Sequence, residues 1–287
     1  ATDPRRQAPR PGFVLNVDRQ TPPILFHHGD NFRLEKLPAD RSRVIYPAEP
    51  LPGLPDPEGS IRDALLNPID DDPLPSLLKP GMKLTIAFDD LSLPLPSMRK
   101  PDIRQRIIEQ VLDMAAAAGV DDVHLIAALA LHRRMTEDEL RHALGDRVYD
   151  AFAPQGALYN HDAEDPDGMV ELGLTRHDEQ VTMNKRAAES DLVVYVNLNI
   201  VSMDGGWKST ATGLSGYSGI RHHHNVATMR ESKSFMDRHS SELHHSNWRQ
   251  GEVIKNHGPR IFQIETTINN NTFGYDGPLS VLQKREW

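Results

Sequence analysis

Four groups of side chains have the type and spacing to do chemistry. His132 closes an apolar run, Val123 to Leu131, and is followed by Arg133 and Arg134. An imidazole there can act as acid or base near neutral pH if a substrate proton comes within reach. Bonded only to backbone, it is an ordinary strand-end histidine. Asp89 and Asp90 end the run Met82 to Phe88. Adjacent acids at a strand end can bind a substrate hydroxyl, orient a histidine, ligate a cation, or simply form a solvated turn. Gly205-Gly206-Trp207-Lys208-Ser209 sets a lysine among glycines and a small hydroxyl residue. Such a segment reads as a loop whose backbone N–H groups approach a phosphate or carboxylate, with Lys208 as anion contact or covalent anchor. It lacks the residue order of a nucleoside-triphosphate loop. His222-His223-His224 offers metal-binding nitrogens, yet three adjacent imidazoles cannot all face one ion, so one is the ligand candidate. The pairs His161-Asp162 and His177-Asp178 are weaker, because adjacent side chains seldom face each other. His244-His245 and His257 fall in a polar stretch and read as solvent-facing.

Composition narrows what these groups can be doing. The 287 residues contain no Cys, which removes disulfides, thiolate nucleophiles and thiolate metal sites. Any metal must sit on His or carboxylate. Acidic residues outnumber basic ones by 41 to 32, and a net charge of −9 repels a phosphate backbone, so nucleic acid is not an expected partner. No window approaches the ~18 uninterrupted apolar residues of a membrane helix. The first residues carry Arg but no apolar stretch behind them, so a secretory leader is not expected and the cytoplasm is. No His-Glu-x-x-His helix motif supports a zinc hydrolase.

The elements that must position these groups alternate between strand and helix. Before residue 80 the chain is Pro-rich and reads as short strands and extended connections, with Phe13 to Val17 one strand and Ile61 to Leu66 a short helix. Met82 to Phe88, Val123 to Leu131, Asp191 to Val201 and Arg260 to Ile268 read as buried strands. Ile103 to Ala118 shows helical spacing and stops at Gly119. Thr136-x-x-Glu139 is a capping box for a helix ending at Gly145. Val226 to His239 reads as one more helix. This alternation predicts an α/β fold with a mostly parallel sheet and flanking helices. In such folds ligands bind beyond the carboxyl ends of the strands, where Asp89-Asp90, His132 and the segment after Val201 all fall.

Taken together, residues from about Ile61 onward resemble the nickel-pincer lactate racemase family of 2-hydroxyacid racemases and epimerases. The likeness rests on residues 64–90, 124–140, 160–173 and the segment GGWKSTATGLSGY with the following HHHN. It implies a two-domain protein: residues 1–258 as the cofactor-binding domain and 259–287 as the incomplete opening of a second α/β domain. It implies a nickel pyridinium-3,5-bisthiocarboxylic acid mononucleotide cofactor tethered at Lys208, with Gly205, Gly206 and Ser209 around the tether. His224, sixteen residues after Lys208, would ligate the nickel; the cofactor brings its own sulfur. His132 matches the family's first catalytic histidine, and Asp90 would orient it or the substrate. The implied reaction is reversible hydride transfer between a 2-hydroxyacid and the cofactor, with a histidine taking the hydroxyl proton. The implied partners are that small substrate and the enzymes that make the cofactor. Two positions depart from the family pattern. Leu93 stands where the family has an anion-holding Arg, and Leu198-Asn199 stands where it has a second catalytic His. Those departures motivate the alternative of a non-catalytic or chemically altered nickel- and cofactor-binding homologue.

Overall fold

Continuous burial of short apolar runs is what parallel strands covered on both faces require, and the three strongest runs meet that condition. The structure, a computed structural model, describes residues 14–28, 31–45, 51–90, 97–269 and 272. Two compact units divide the chain: residues 1–53 with 269–287, and residues 54–268. In the first, β1 (Val14–Asn16) pairs antiparallel with β4 (Arg43–Ile45), and β2 (Ile24–His28) with β3 (Asn31–Glu35). Phe13, expected to begin the first strand, lies outside the described residues, as does Leu93.

The second unit begins with α1 (Pro57–Leu66), capped by Asp56, and α2 (Leu74–Leu77). There follow β5 (Lys83–Asp89), α3 (Ile103–Ala117), β6 (Asp122–Ala128), α4 (Glu137–Phe152) and β7 (Leu158–Asn160). An antiparallel pair, β8 (Met169–Leu174) and β9 (Gln180–Asn184), leads through α5 (Lys185–Ala188) to β10 (Leu192–Asn199). The chain continues through α6 (Trp207–Gly213), α7 (Tyr217–Ile220), α8 (Val226–Glu231) and α9 (Glu242–His257) to β11 (Arg260–Thr267). The central sheet has the order β11-β10-β5-β6-β7, and every pairing in it is parallel. β11, expected to open a second domain, is an edge strand of this sheet and pairs in parallel with β10.

Alternation along the strands decides which groups reach which face. Leu84, Ile86, Phe88, Leu125, Val194 and Val196 pack with the helices α3 and α4 on one side. Ala87, Ile126, Val193 and Tyr195 pack with Ala211 and Leu214, with Val253 and Ile254 of α9, and with Val181 and Met183 on the other. By the same period of two, Asp89 and Asn197 fall on the second side, where α6 lies. In register, Asp89 stands opposite Ala128, and Asn197 opposite Glu265. The carboxyl ends of four strands therefore form one edge.

Several expected elements differ in extent. The run to Leu131 leaves the sheet at Ala128; Ala130 takes φ +51°, and the His132 N–H donates to the Leu129 carbonyl in a turn. The Thr136–Glu139 capping box forms as expected, but the helix does not end at Gly145. That glycine takes φ +76°, kinks the helix, and the chain resumes turning to Phe152. The expected helix over Val226 to His239 stops at Glu231. The Ser232 hydroxyl bonds the Thr228 carbonyl and accepts from the Glu242 N–H, ending one helix and steadying the start of α9. Among the described residues no helix is long and apolar enough to cross a membrane.

Candidate active site

Asp89 and Asp90 differ sharply although they are neighbours. Their backbone is held from behind by Arg104 of α3, whose guanidinium donates to both carbonyls at 2.9 and 3.3 Å. Arg104 is itself buried and paired with buried Asp102 at 2.7 Å. Asp89 turns toward the interior, where its two oxygens accept from the Tyr195 hydroxyl at 3.0 Å and the Leu198 N–H at 2.6 Å. Burial pushes its carboxyl up to about 7, against the pull of those two donors and with the help of the Asp90 charge. Asp90 turns the other way, its side chain only 8% exposed, and meets His132 Nδ1 at 3.0 Å. The bond to Asp90 raises the His132 pKa above its ordinary value, outweighing partial burial and the nearby Lys208 charge. With Nδ1–H spent on the carboxylate, Nε2 is the atom left for a ligand. The His132 side chain is 49% exposed, so it faces open space.

The two arginines after His132 do not join it. Arg133 clamps Glu139 with two bonds of 2.8 and 2.6 Å and holds that carboxylate down to about 2. Arg134 pairs with Asp162. His161 is buried apart from its neighbour Asp162: its Nε2 lies 2.9 Å from the Ser215 carbonyl and its Nδ1 3.3 Å from the Asn184 amide. Burial lowers its pKa, so it serves as a neutral strut under the segment after α6.

Lys208 is not in a loop. It is the second residue of α6, and its ammonium lies 3.0 Å from Asp204, four residues back and ahead of the glycine turn. Gly205 and Gly206, at φ +88° and +60°, swing the chain from β10 into this helix. A Cβ on Gly205 would stand 2.5 Å from Glu265 and 2.7 Å from Asn199, so only glycine fits. Glu265 at the end of β11 is the hub of this turn. One of its oxygens accepts from Asn197 at 2.7 Å and Asn199 at 2.9 Å; the other accepts from the Gly206 N–H at 2.7 Å and Gln263 at 2.9 Å. Ser209 lines the cleft at the strand ends, and its hydroxyl donates to the buried Asn197 Oδ1 at 2.6 Å. Asn199 is thus a strut of the turn, tied to the same carboxylate.

Asp89, Asp90, His132, Tyr195, Asp204 and Lys208 line one cleft of about 110 Å³ at the strand ends. His224 stands near enough that the Lys208 and His132 charges, after desolvation, lower its pKa. Its Nδ1 lies 2.8 Å from His223 Nδ1. His223 is buried and its pKa falls to about 3, from burial first and then the His224 charge, so it stays neutral. The pair shares one N–H, and of the triplet His224 is the exposed imidazole. Among the described residues no cluster of three or more His, Asp or Glu side chains could hold a metal ion alone. A metal on His224 would have to arrive with most of its own ligands, which is the donor set a pincer-type cofactor offers. Lys208 lines the same cleft as His132.

Sequence reasoning did not single out Arg104, Tyr195, Asp204, Asn197 or Glu265. The signal for Asp204 was a carboxylate directly before the Gly205-Gly206 pair and four residues from Lys208; for Glu265 it was a carboxylate near the end of a strand.

Comparison with known proteins places these observations. Residues 28–237 match the lactate racemase N-terminal domain. The chain is 25% identical over 169 residues to the lactate racemase of Lactiplantibacillus plantarum, covering 58% of this chain and 38% of that protein. It superposes on the lactate racemase apoprotein of Thermoanaerobacterium thermosaccharolyticum with a TM-score of 0.60 at 20% identity, covering 88% of this chain and 58% of that one. A protein of Thermotoga maritima gives a TM-score of 0.58 at 18% identity, covering 82% and 59%. The chain thus spans less than two thirds of the length of each.

Proposed function

Since the chain belongs to the lactate racemase N-terminal domain family, we propose that it is the cofactor-binding part of a racemase or epimerase acting on a 2-hydroxyacid. The observation that carries this reading is the single cleft shared by Lys208, His132 and Asp90. Lys208 would anchor a nickel-pincer mononucleotide, and His224 would bind its metal through the nitrogen not shared with His223. When bound, that group supplies an acceptor and donor of hydride. His132 takes the hydroxyl proton on Nε2 while Asp90 holds Nδ1–H and stabilises the imidazolium that results. Asp204 keeps the Lys208 amine oriented toward the cleft before it is modified. Asn199 has no basic nitrogen and its amide is engaged with Glu265, so the proton on the other face needs a different acceptor. Asp89 also lines the cleft, and burial pushes its carboxyl up to about 7. A second domain continuing after β11, a cytoplasmic setting and dependence on cofactor-making enzymes belong to the same proposal.

The test is intact-protein mass spectrometry and nickel analysis of protein made together with the cofactor-making enzymes. A mass adduct should appear on the wild type and vanish in Lys208→Ala; nickel content should fall in His224→Ala. Unchanged nickel in both variants would overturn the cofactor assignment. Deuterium exchange at the α-carbon across a panel of 2-hydroxyacids then identifies the substrate.

A further inference from the structure

The charges in the cleft at the strand ends are matched to one another. Its lining holds two side chains that can be cationic, His132 and Lys208. Each faces a carboxylate at 3.0 Å, Asp90 for the first and Asp204 for the second. Asp89 stands in the same lining, so a second anionic group brought in by a ligand meets three carboxyl groups and no unpaired cation there. Like charges in a cleft shielded from water repel strongly. The neutral donors are engaged as well. Tyr195 donates to Asp89, Ser209 to Asn197 and Thr212 to Asn247, while the Asn197 amide donates to Asn199 and Glu265. The lining also carries four aliphatic side chains: Ala128, Ala130, Leu198 and Ile200. The first three are almost fully buried, whereas Ile200 is 39% exposed. Its place is fixed by Asp204, whose second oxygen accepts from the Ile200 and Val201 N–H groups at 3.1 and 3.0 Å while the first holds Lys208. One carboxylate thus sets the lysine amine and an aliphatic wall together. A wetted aliphatic surface in such a cleft is stabilised when an apolar group covers it.

We infer that Ile200 selects the substrate's side chain, and that the substrate is a monocarboxylic 2-hydroxyacid with a short aliphatic chain. The methyl and methylene groups of that chain pack on Ile200, the hydroxyl meets His132 Nε2, and the carboxylate points away from this lining. The inference rests on the reading of the protein as part of a 2-hydroxyacid racemase or epimerase, and it narrows that reading to one class of side chain. A second carboxylate on the chain finds no cation to pair with, and a row of further hydroxyl groups finds no donor that is not already used. The volume of about 110 Å³ limits the chain to a few carbons. Position 93 acts in the same direction: the resemblance implies an arginine for anionic groups there, and Leu supplies no charge.

A chain-length series tests this. Protein made together with the cofactor-making enzymes is assayed for α-deuterium exchange with 2-hydroxypropanoate, 2-hydroxybutanoate, 2-hydroxypentanoate and the dicarboxylate 2-hydroxysuccinate. In the wild type kcat/KM should rise about fourfold with each added methylene, the factor that burial of one CH₂ gives. The dicarboxylate should lie about tenfold or more below 2-hydroxybutanoate. Ile200→Ala should flatten the series to less than about twofold per methylene, and Ile200→Arg should reverse the order of the dicarboxylate and 2-hydroxybutanoate. Ile200 is partly exposed, so both variants should fold, which a thermal melt checks. Calorimetry with the same acids on the same protein gives the order of binding without reference to turnover. A flat series in the wild type, a preference for 2-hydroxysuccinate, or an unchanged slope in Ile200→Ala would overturn the inference. The two readings fail separately. Binding that strengthens with chain length but no exchange removes the isomerase reading and leaves the aliphatic wall. Exchange with a flat series removes the wall and leaves the isomerase. No saturable binding of any acid in the series removes both.

Discussion

His132 and Asp90 form the one ion pair at the cleft whose titration should be visible in activity. Asp90 raises the His132 pKa, so the neutral, proton-accepting form is lost from a higher pH downward than for a free histidine. Turnover should therefore fall on the acid side with an inflection above ~6.5. Asp90→Asn should move that inflection down and cut turnover by about 10²-fold or more. A pH–rate profile that does not move would separate Asp90 from the base. For stability the sign follows from the same shift. The folded pKa is raised, so the pair's contribution is full below the unfolded value and disappears as pH rises through the folded one; with His132 half exposed it is small. Asp89 should be the larger effect. Its carboxyl moves from 3.8 to about 7 on folding, so the folded state holds an extra proton between those values and loses stability as pH rises through them. The slope approaches about 1.4 kcal/mol per pH unit. Comparing urea melts of wild type and Asp89→Asn from pH 4 to 8 should show that slope only in the wild type. His132, Asp90, Lys208 and His224 stood out as candidates in the sequence because residue types and intervals need no coordinates, and the first three line one cleft. Asp89's partner Tyr195 was not, since a tyrosine within an apolar strand looks like packing until the facing strand is known.

At the scale of elements, the glycine turn before α6 decides where Lys208 goes. Glu265 satisfies two Asn amides and the Gly206 N–H at once. Glu265→Ala would remove the acceptor of four donors. Asn197 and Gln263 each keep a second acceptor, while the Asn199 amide and the Gly206 N–H lose theirs, at about 1–3 kcal/mol for each that stays buried. The expected outcome is a lower melting temperature together with loss of the Lys208 adduct, although residue 265 never meets the amine. Retention of full adduct would mean α6 is set by its packing alone. The Thr136–Glu139 box gives a contrasting case: it was legible in sequence, it forms, and Thr136→Ala should cost about 1 kcal/mol without touching the cleft. What sequence obscured was α9. Its buried side mixes Leu243, Val253 and Ile254 with Ser246, Asn247 and Gln250, so polar residues occupy core positions and the apolar period fades. The kink at Gly145 misled for a different reason. A glycine at positive φ usually ends a helix, whereas here the turns on both sides pack on the same sheet face and the chain resumes.

Across the whole second unit, the sheet order determines how firmly the cleft is built. β5 lies between β10 and β6, with residues 84–88 buried without a break, and β10 is buried from Leu192 to Leu198. The acids and the start of the turn into α6 therefore spring from the strands that are hardest to open, while Glu265 sits on edge strand β11. Amide exchange should follow this gradient. The N–H groups of β5 and β10 should exchange only with global unfolding, and those of β7 and the outer side of β11 sooner. Glu265→Ala should accelerate exchange at Gly206 and through α6 without changing β5. If β5 and β10 instead exchanged as fast as the edges, the strand ends could not hold Asp89, Asp90 and the α6 turn in register. The cleft would then be assembled by its ligand, and protein made together with the cofactor-making enzymes should show slower exchange at those strands rather than only around Lys208.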